Sequence, residues 1–520
     1  MVNRRILLFL VLLSASCQAL NVPTATPTAT ETSTSTPTST ATETITPSPT
    51  AIPPSATPTD TATTTFTPTI TLTPTTAPTA TITPEPSVGF VFDNWKLVDL
   101  PADMDSRLST SVIAFINEND RDGIGDARTP QPATNVETLY YVPATSSAGR
   151  YPILQLPAST QNQVYIAQNG KSIAYFKDEN SGQGTGGLYI LDMDSKISGR
   201  ILPVSSLIQR GFPSQPSWSP DGSRLAIALA TSYDMDIFAV NKDGSNFQNL
   251  TNNGSYDLWP SWSPDGRYLL FVSDRARCPS WIPGDANACD ALTTPPPNGG
   301  NPYLLELASG TVTQLSDQWV TEAPRWLNAS KIVFASGDPT FGDPERTLWI
   351  ADSNTKQAQE VKLADGSDGP IRLSEAWVQD GSAVIYQNAG ASTTEIIAAN
   401  ADGSLIGRTS DINFPRYGMV AAWSVDGTRI AVGGVNGQCQ YGIRVFDRNL
   451  GSVARGTPPP SMCNPTYSAD GQWLAFTGIN PRIDGRIDVY IATPNGFGAV
   501  NLTNGLRGAI TMLGWVGGTS

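Results

Sequence analysis

Trp218-Ser-Pro-Asp-Gly222 and Trp262-Ser-Pro-Asp-Gly266 are one pentapeptide written twice, and the chain repeats it in worn form. Trp423-Ser-Val-Asp-Gly427 differs by one residue, while Tyr467-Ser-Ala-Asp-Gly471, Trp377-Val-Gln-Asp-Gly381 and Trp326-Leu-Asn-Ala-Ser330 are looser copies. Ser-Pro-Asp-Gly suits a type I turn position by position: Ser opens it, Pro presets φ, Asp tolerates the third corner and Gly relieves the fourth. Each turn is followed by an apolar strand, such as Leu225-Ala-Ile-Ala228 or Leu269-Leu-Phe-Val272. An alternating third strand comes next, as in Asp236-Ile-Phe-Ala-Val240 or Asp488-Val-Tyr-Ile491. A second turn (Asp243-Gly244, Asp402-Gly403, Asn495-Gly496) then leads to a fourth strand ending near Leu-Thr. Four short antiparallel strands per repeat make one propeller blade. The aromatic that opens each repeat reads as a wedge between neighbouring blades.

The anchor positions are Ile166, Trp218, Trp262, Trp326, Trp377, Trp423, Tyr467 and Trp515, spaced by 52, 44, 64, 51, 46, 44 and 48 residues. Such a period marks a radial repeat. The last anchor has no strands after it, and the first strands, from Val112, have no anchor before them. The two deficits fit each other. An all-β, eight-bladed propeller of four-stranded antiparallel blades is therefore expected over 89–520, with residues 512–516 completing the first blade. Seven blades is the alternative, because the early repeats are degenerate.

The order Trp-Ser-Pro-Asp-Gly, Leu-Ala-Phe, Asp-Ile-Tyr-Val, Asp-Gly, Leu-Thr resembles the TolB-type propeller repeat of bacterial envelope proteins. The resemblance covers about 110–516 and is strongest over 213–274. It implies a fold and an exported setting. It leaves function open, since propellers of this type serve as binding scaffolds and as gating domains of serine peptidases.

The amino terminus agrees with export. Arg4-Arg5 precede an apolar run from Ile6 to Leu13, too short to span a bilayer. Ser14-Ala15-Ser16 lead to Cys17 in a pattern resembling a bacterial lipobox, with Ser14 departing from the aliphatic residue expected there. Residues 1–17 are thus expected to be a signal peptide ending in Cys17 as a lipid attachment site, with cleavage without lipid as the alternative. From 18 to 88 the chain is dominated by Thr, Pro, Ser and Ala and cannot bury a core. It is expected to be a disordered or polyproline-like stalk, reaching on the order of 200 Å if fully extended.

Composition narrows the chemistry. The chain has 520 residues, a formal net charge of −14 and no histidine. The charge argues against nucleic acid and anionic lipid as partners. Without histidine, a Ser-His-Asp triad, a Cys-His pair and a histidine zinc site cannot be built. Carboxylate-pair chemistry stays open. Of five cysteines, four pair naturally in an exported chain: Cys278 with Cys289 inside one insertion, and Cys439 with Cys463 between connections on the same face. Free thiols are the alternative.

The pentapeptide turns and the Asp-Gly turns share one face of the disc. The opposite face collects the long insertions, about 117–136, 178–187, 274–302 and 336–346, where binding is expected. Candidate ligand-contacting residues there are Arg210, Phe212, Tyr256, Trp259, Arg275, Trp281, Trp319, Phe414, Arg416 and Tyr417, because exposed aromatics and arginines anchor interfaces. For each aromatic, plugging the gap between blades is the competing role. One insertion carries sharper chemistry: Glu118, Asp120, Asp122, Ile124 and Asp126 follow the ligand order of a calcium loop, with Gly123 for the tight turn. The segment also resembles the calcium repeats of thrombospondin type 3, although Thr129 stands at the position of the closing acid. A solvated, metal-free loop is the alternative. Asn249 and Asn501, although in Asn-x-Thr sequences, belong to the Leu-Thr ending of the repeat and read as structural.

The expected function is a monomeric, envelope-anchored, non-enzymatic scaffold. It would bind an envelope or surface protein, a peptide or a glycan, touching membrane only through Cys17. A polysaccharide hydrolase or lyase with carboxylates in the central channel is one alternative, and a structural surface spacer is another.

Overall fold

Each pentapeptide turn is locked by its own side chains. The Ser219 hydroxyl donates to Asp221 and accepts the Arg224 backbone N–H, while the Gly222 N–H donates to the Ser219 carbonyl at 2.8 Å. Gly222 sits at φ +69°, where a Cβ would be strained. The same arrangement recurs at Ser263, Ser424 and Ser468. The turn therefore sets register, because the strand after it must start at a fixed residue.

The computed structural model describes residues 93–518 apart from 98–99, 101–102, 122–135, 145–148, 161, 179–183, 204–213, 232, 291, 338–344, 390–393, 413, 415–416, 436–437, 440, 458–460 and 480–485. The described strands form eight four-stranded antiparallel units. The first is made from both ends of the propeller: Arg507–Val516, Val112–Arg121, Val136–Pro143 and Tyr151–Pro157. The second runs Gln163–Ile166, Ser172–Lys177, Gly187–Asp192, Ile197–Pro203 and gains an outer strand, Asp93–Leu97. The third is Ser217–Trp218, Arg224–Ala230, Met235–Asn241, Gln248–Asn249, and the fourth is Asp257–Trp262, Tyr268–Ser273, Asn301–Glu306, Thr311–Gln314. The fifth is Arg325–Trp326, Lys331–Ser336, Thr347–Asp352, Gln357–Val361, and the sixth is Arg372–Trp377, Ala383–Ala389, Thr394–Asn400, Leu405–Thr409. The seventh, Met419–Trp423, Arg429–Gly434, Ile443–Asp447, Ser452–Thr457, meets the eighth, Cys463–Tyr467, Leu474–Ile479, Ile487–Ala492, Val500–Asn501, through one parallel bridge between Gly434 and Cys463.

The carboxy-terminal strand does close the first unit: Val112 pairs with Val516 and Ile113 with Trp515. The outer strand Asp93–Leu97, paired with Ile197–Pro203, carries no repeat motif and was not expected. Nor was the short helix Met104–Leu108, whose Met104 and Leu108 are buried between the first and second units.

Each interface between consecutive units is filled by its own apolar cluster, and the series closes where Ile113 and Phe115 of the first unit meet Ala475 and Val489 of the eighth. Fully burying one such side chain stabilises by about 1.5–3 kcal/mol. The anchor aromatics do more than fill space. The indole N–H of Trp218 donates to the Tyr165 carbonyl, Trp262 to Ser217, Trp326 to Ser261, Trp423 to Ala376 and Trp515 to Thr466, all at 3.0–3.2 Å. Every acceptor immediately precedes the anchor of the preceding unit. Each of these five indoles thus latches its innermost strand to the one before it, and Trp515 carries the series across the seam, while Trp377 is buried without such a bond among the described residues. Tyr467 breaks the pattern, giving its hydroxyl proton to the Pro494 carbonyl at 3.0 Å.

Candidate functional site

The connections that enter the innermost strands share one face with the connections between second and third strands. The insertion over 274–302 shows how that face is built. A disulfide joins Cys278 to Cys289 with their Cα atoms 5.8 Å apart. Trp281 is folded down until it is 6% exposed, its indole N–H donating to Asp274 at 2.8 Å and its ring meeting Tyr256 edge-on at 5.5 Å. Arg275 reaches both oxygens of the buried Asp257 at 3.0 and 2.9 Å, and its guanidinium lies over Phe271 and Tyr303. Tyr256, Arg275 and Trp281 therefore fasten the insertion to the fourth unit, contrary to the expectation that they are exposed anchors. The physical reason is electrostatic. Asp236, Asp257 and Asp274 are all buried here, and groups that carry the sequence's polarity are drawn inward to satisfy them. Burial, reinforced by the charge of Asp257, pushes the Asp236 carboxyl up to about 6, and burial likewise raises Asp274.

Asp236 also illustrates the repeat's own ending. Asn249 donates to it at 2.9 Å and Thr251 at 3.1 Å. In the eighth unit Asn501 and Thr503 do the same for Asp488, at 3.0 and 2.7 Å. Both Asn-x-Thr asparagines have internal partners.

Among the described residues, two of the concave features lie on the loop-rich face. The larger, of about 540 Å³, lies between the fifth and sixth units and is lined by Trp319, Trp349, Glu345, Glu360, Lys362 and Arg372, with Gln318 at one end. Its polar groups are tied to one another. Lys362 contacts Glu360 at 2.9 Å, and Arg372 spans Glu360 at 3.4 Å and the buried Asp368 at 2.7 Å. The smaller, of about 430 Å³, lies where three innermost strands begin and is lined by Pro216, Trp259, Pro260, Pro324, Glu322 and Arg325. Behind it Arg346, only 3% exposed, joins Glu322 at 2.9 Å to Glu375 at 3.2 Å, and Arg325 also reaches Glu375. Burial works to raise the Glu375 carboxyl, but the charges of Arg346 and Arg325 outweigh it and hold it below the ordinary glutamate value.

Of the residues expected at a site, Trp319 lines the larger cleft and Trp259 the smaller recess, so the structure does not bring them into one site. Phe414 is 2% exposed in the core between the sixth and seventh units, a correction to its expected exposure: it fills the interface at which Met419 and Trp423 also pack. Tyr417 is half-buried at φ +57°. Arg210, Phe212 and Arg416 lie outside the described residues.

Residues 161–291 match the family model of the TolB beta propeller domain. Over those residues the repeats are similar to the TolB type. An uncharacterized protein of Agrobacterium fabrum is 24% identical over 194 residues, 36% of this chain, and the match spans only 57% of that relative's length. Among solved structures, TolB from Acinetobacter baumannii shares 18% identity over 59% of this chain and 64% of its own, with a TM-score of 0.33. An oligogalacturonate lyase from Vibrio parahaemolyticus shares 14% over 74% of this chain and 97% of its own, at 0.40. A eukaryotic initiation factor shares 14% over 77% and 98%, at 0.47. These likenesses concern the fold.

Of the residues expected to hold calcium, Glu118 and Asp120 alone lie among the described ones. The strand Val112–Arg121 runs past Asn117, and Glu118 pairs with Glu137 on one side and Ala509 on the other. Glu118 and Asp120 thus lie in the strand Val112–Arg121, with Glu118 paired on both sides. Asp122, Ile124 and Asp126 lie outside the described residues, and no group of three metal-ligating side chains occurs among the described ones. Cys17 and the Thr/Pro-rich segment also lie outside them. No helix among the described residues is long and apolar enough to cross a membrane. The second disulfide joins Cys439 to Cys463, with Cα atoms 5.0 Å apart.

Sequence reading missed Trp349, Glu360, Lys362 and Arg372, which meet only when two units are set side by side. It also passed over a readable signal. Pro216, Pro260, Pro324 and Pro465 each stand two residues before an anchor. The fourth and eighth units place Trp259 and Asn464, each just before that proline, at φ +52° and +46°, and the pairing shifts register there. The bulge marks where the innermost strand turns toward the recess.

Proposed function

We propose that this chain is an exported, envelope-anchored propeller that binds a protein, peptide or glycan on its loop-rich face without transforming it. Cys17 is its lipid anchor and the Thr/Pro-rich segment its stalk. The observation that carries the reading is the cleft between the fifth and sixth units: two indoles beside acids and bases already locked in mutual ion pairs. Rigid aromatics with a few fixed polar groups are the ordinary make-up of a recognition site.

At the recess, hydrolysis by a carboxylate pair finds less support. A glycosidic general acid must stay protonated near its working pH. Of the two carboxylates around the recess, Glu375 is held ionised by two arginines and Glu322 is paired with Arg346.

The test is retention. Full-length protein is immobilised and exposed to envelope extract and to purified cell-wall glycans, beside the Trp319→Ala variant. Selective capture that the variant loses is the expected result. Turnover of a defined polysaccharide, with no stable capture, would overturn the reading. Labelled fatty acid should enter the parent but not Cys17→Ser; equal labelling would remove the anchor.

A further inference from the structure

We infer that the cleft between the fifth and sixth units is a subsite for a neutral oligosaccharide. The inference rests on the binding-scaffold reading and names its ligand class. A pyranose ring offers two kinds of surface: faces of C–H groups, and a rim of hydroxyls that each donate once and accept twice. A matching site needs aromatic faces, whose negative quadrupole attracts C–H edges, and it needs donors and acceptors in similar number.

The cleft has both. Trp319 and Trp349 line it, and each ring has one face already held by the scaffold. The Arg277 guanidinium lies 4.2 Å from the Trp319 ring, and Phe334 stacks against Trp349 with centroids 6.2 Å apart. The Trp349 indole N–H is spent on Thr347 at 2.9 Å, so that ring offers a surface rather than a donor. Glu345 and Glu360 supply acceptors, Lys362 and Arg372 supply donors, and Gln318 supplies both.

Charge decides between ligand classes. Two acids face two bases, so the lining is formally neutral and gives no net attraction to a polyanion or polycation. The lining carries two acids, two bases and an amide, which disfavours a lipid or an apolar peptide face. A peptide bound as an added strand would need an open strand edge to pair with. Of the lining, Gly337, Gly369 and Pro370 lie outside the strand ladders, and proline has no N–H to give. The ion pairs among Glu360, Lys362, Arg372 and Asp368 fix the polar groups in advance, which lowers the ordering cost of binding. The volume of about 540 Å³ is of small-ligand size.

The experiment titrates the full-length protein with cellohexaose, maltohexaose and chitohexaose as neutral probes and hexagalacturonate as the anionic one, following heat and tryptophan fluorescence. Saturable binding of at least one neutral hexasaccharide is expected, weakened about tenfold or more in Trp319→Ala and in Lys362→Ala. Lys362 is well exposed, so its variant decides the matter if Trp319→Ala misfolds. Three results would overturn the inference: no neutral probe binds, hexagalacturonate binds most tightly, or Lys362→Ala leaves neutral binding unchanged. If the neutral probes fail while envelope-protein capture is still lost in Trp319→Ala, the scaffold reading stands and the glycan inference alone falls.

Discussion

Replacing Arg275 by Met should expose how the 274–302 insertion is held. Asp257 is fully buried, and Arg275 is the cation that meets it, at 2.9 and 3.0 Å. In Arg275→Met, Asp257 keeps the Asn253 amide at 2.7 Å but loses its counter-charge, with the buried Asp236 and Asp274 acting on the same network. Breaking a buried pair from one side costs about 3–5 kcal/mol. Replacing both partners, in Arg275→Met with Asp257→Asn, should recover most of that loss, to within about 1–2 kcal/mol of the parent. Urea unfolding followed by tryptophan fluorescence at pH 7 reads both. Acid gives an independent arm. The folded Asp236 carboxyl is raised to about 6, above its value in the unfolded chain. The folded state therefore takes up the proton first. This group adds stability as pH falls through 6, and that contribution is complete below about 3.8 and gone at neutral pH. The full linkage amounts to about 3 kcal/mol, of which about 1 kcal/mol is gained between pH 7 and pH 5. Protonation also relieves repulsion around Asp257, so the deficit of the single variant should shrink at pH 5. A double variant as unstable as the single one, or a deficit indifferent to pH, would refute the account.

Trp423→Phe should cost about 1–2 kcal/mol, because the Ala376 carbonyl loses its indole donor in a buried interface; an unchanged urea midpoint would mean the latch is idle. Cys463→Ala opens a bridge spanning 24 residues and should lower stability by about 3 kcal/mol, read against the parent with and without reductant. Deleting residues 507–518 removes the innermost strand of the first unit and should abolish cooperative unfolding and near-ultraviolet circular dichroism; a cooperative transition in the truncated chain would show that the seam is dispensable.

The sequence by itself determined the unit and its order. Ser-Pro-Asp-Gly encodes a turn whose bonds all fall within six residues, so its geometry needs nothing distant. Period and anchor spacing then predicted the seam, because Trp515 without following strands and Val112 without a preceding anchor could satisfy their ladders only together. The disulfide pairs were legible for a similar reason: connection type fixes the face. What the tertiary structure alone decided is which polar and aromatic side chains of the loops stay outside. Trp281, Arg275 and Phe414 have the composition of a binding face and are spent on burying carboxylates and filling a gap. Trp349 and Arg372 sit in ordinary strand positions, Lys362 stands just past one, and they become a cleft only where two units meet. The outer strand from Asp93 was equally invisible, since an added edge strand needs only a ladder to join and carries no motif of its own. Local hydrogen bonds are written in neighbouring residues. Exposure is a property of what a side chain finds opposite it, and that partner stands tens of residues away.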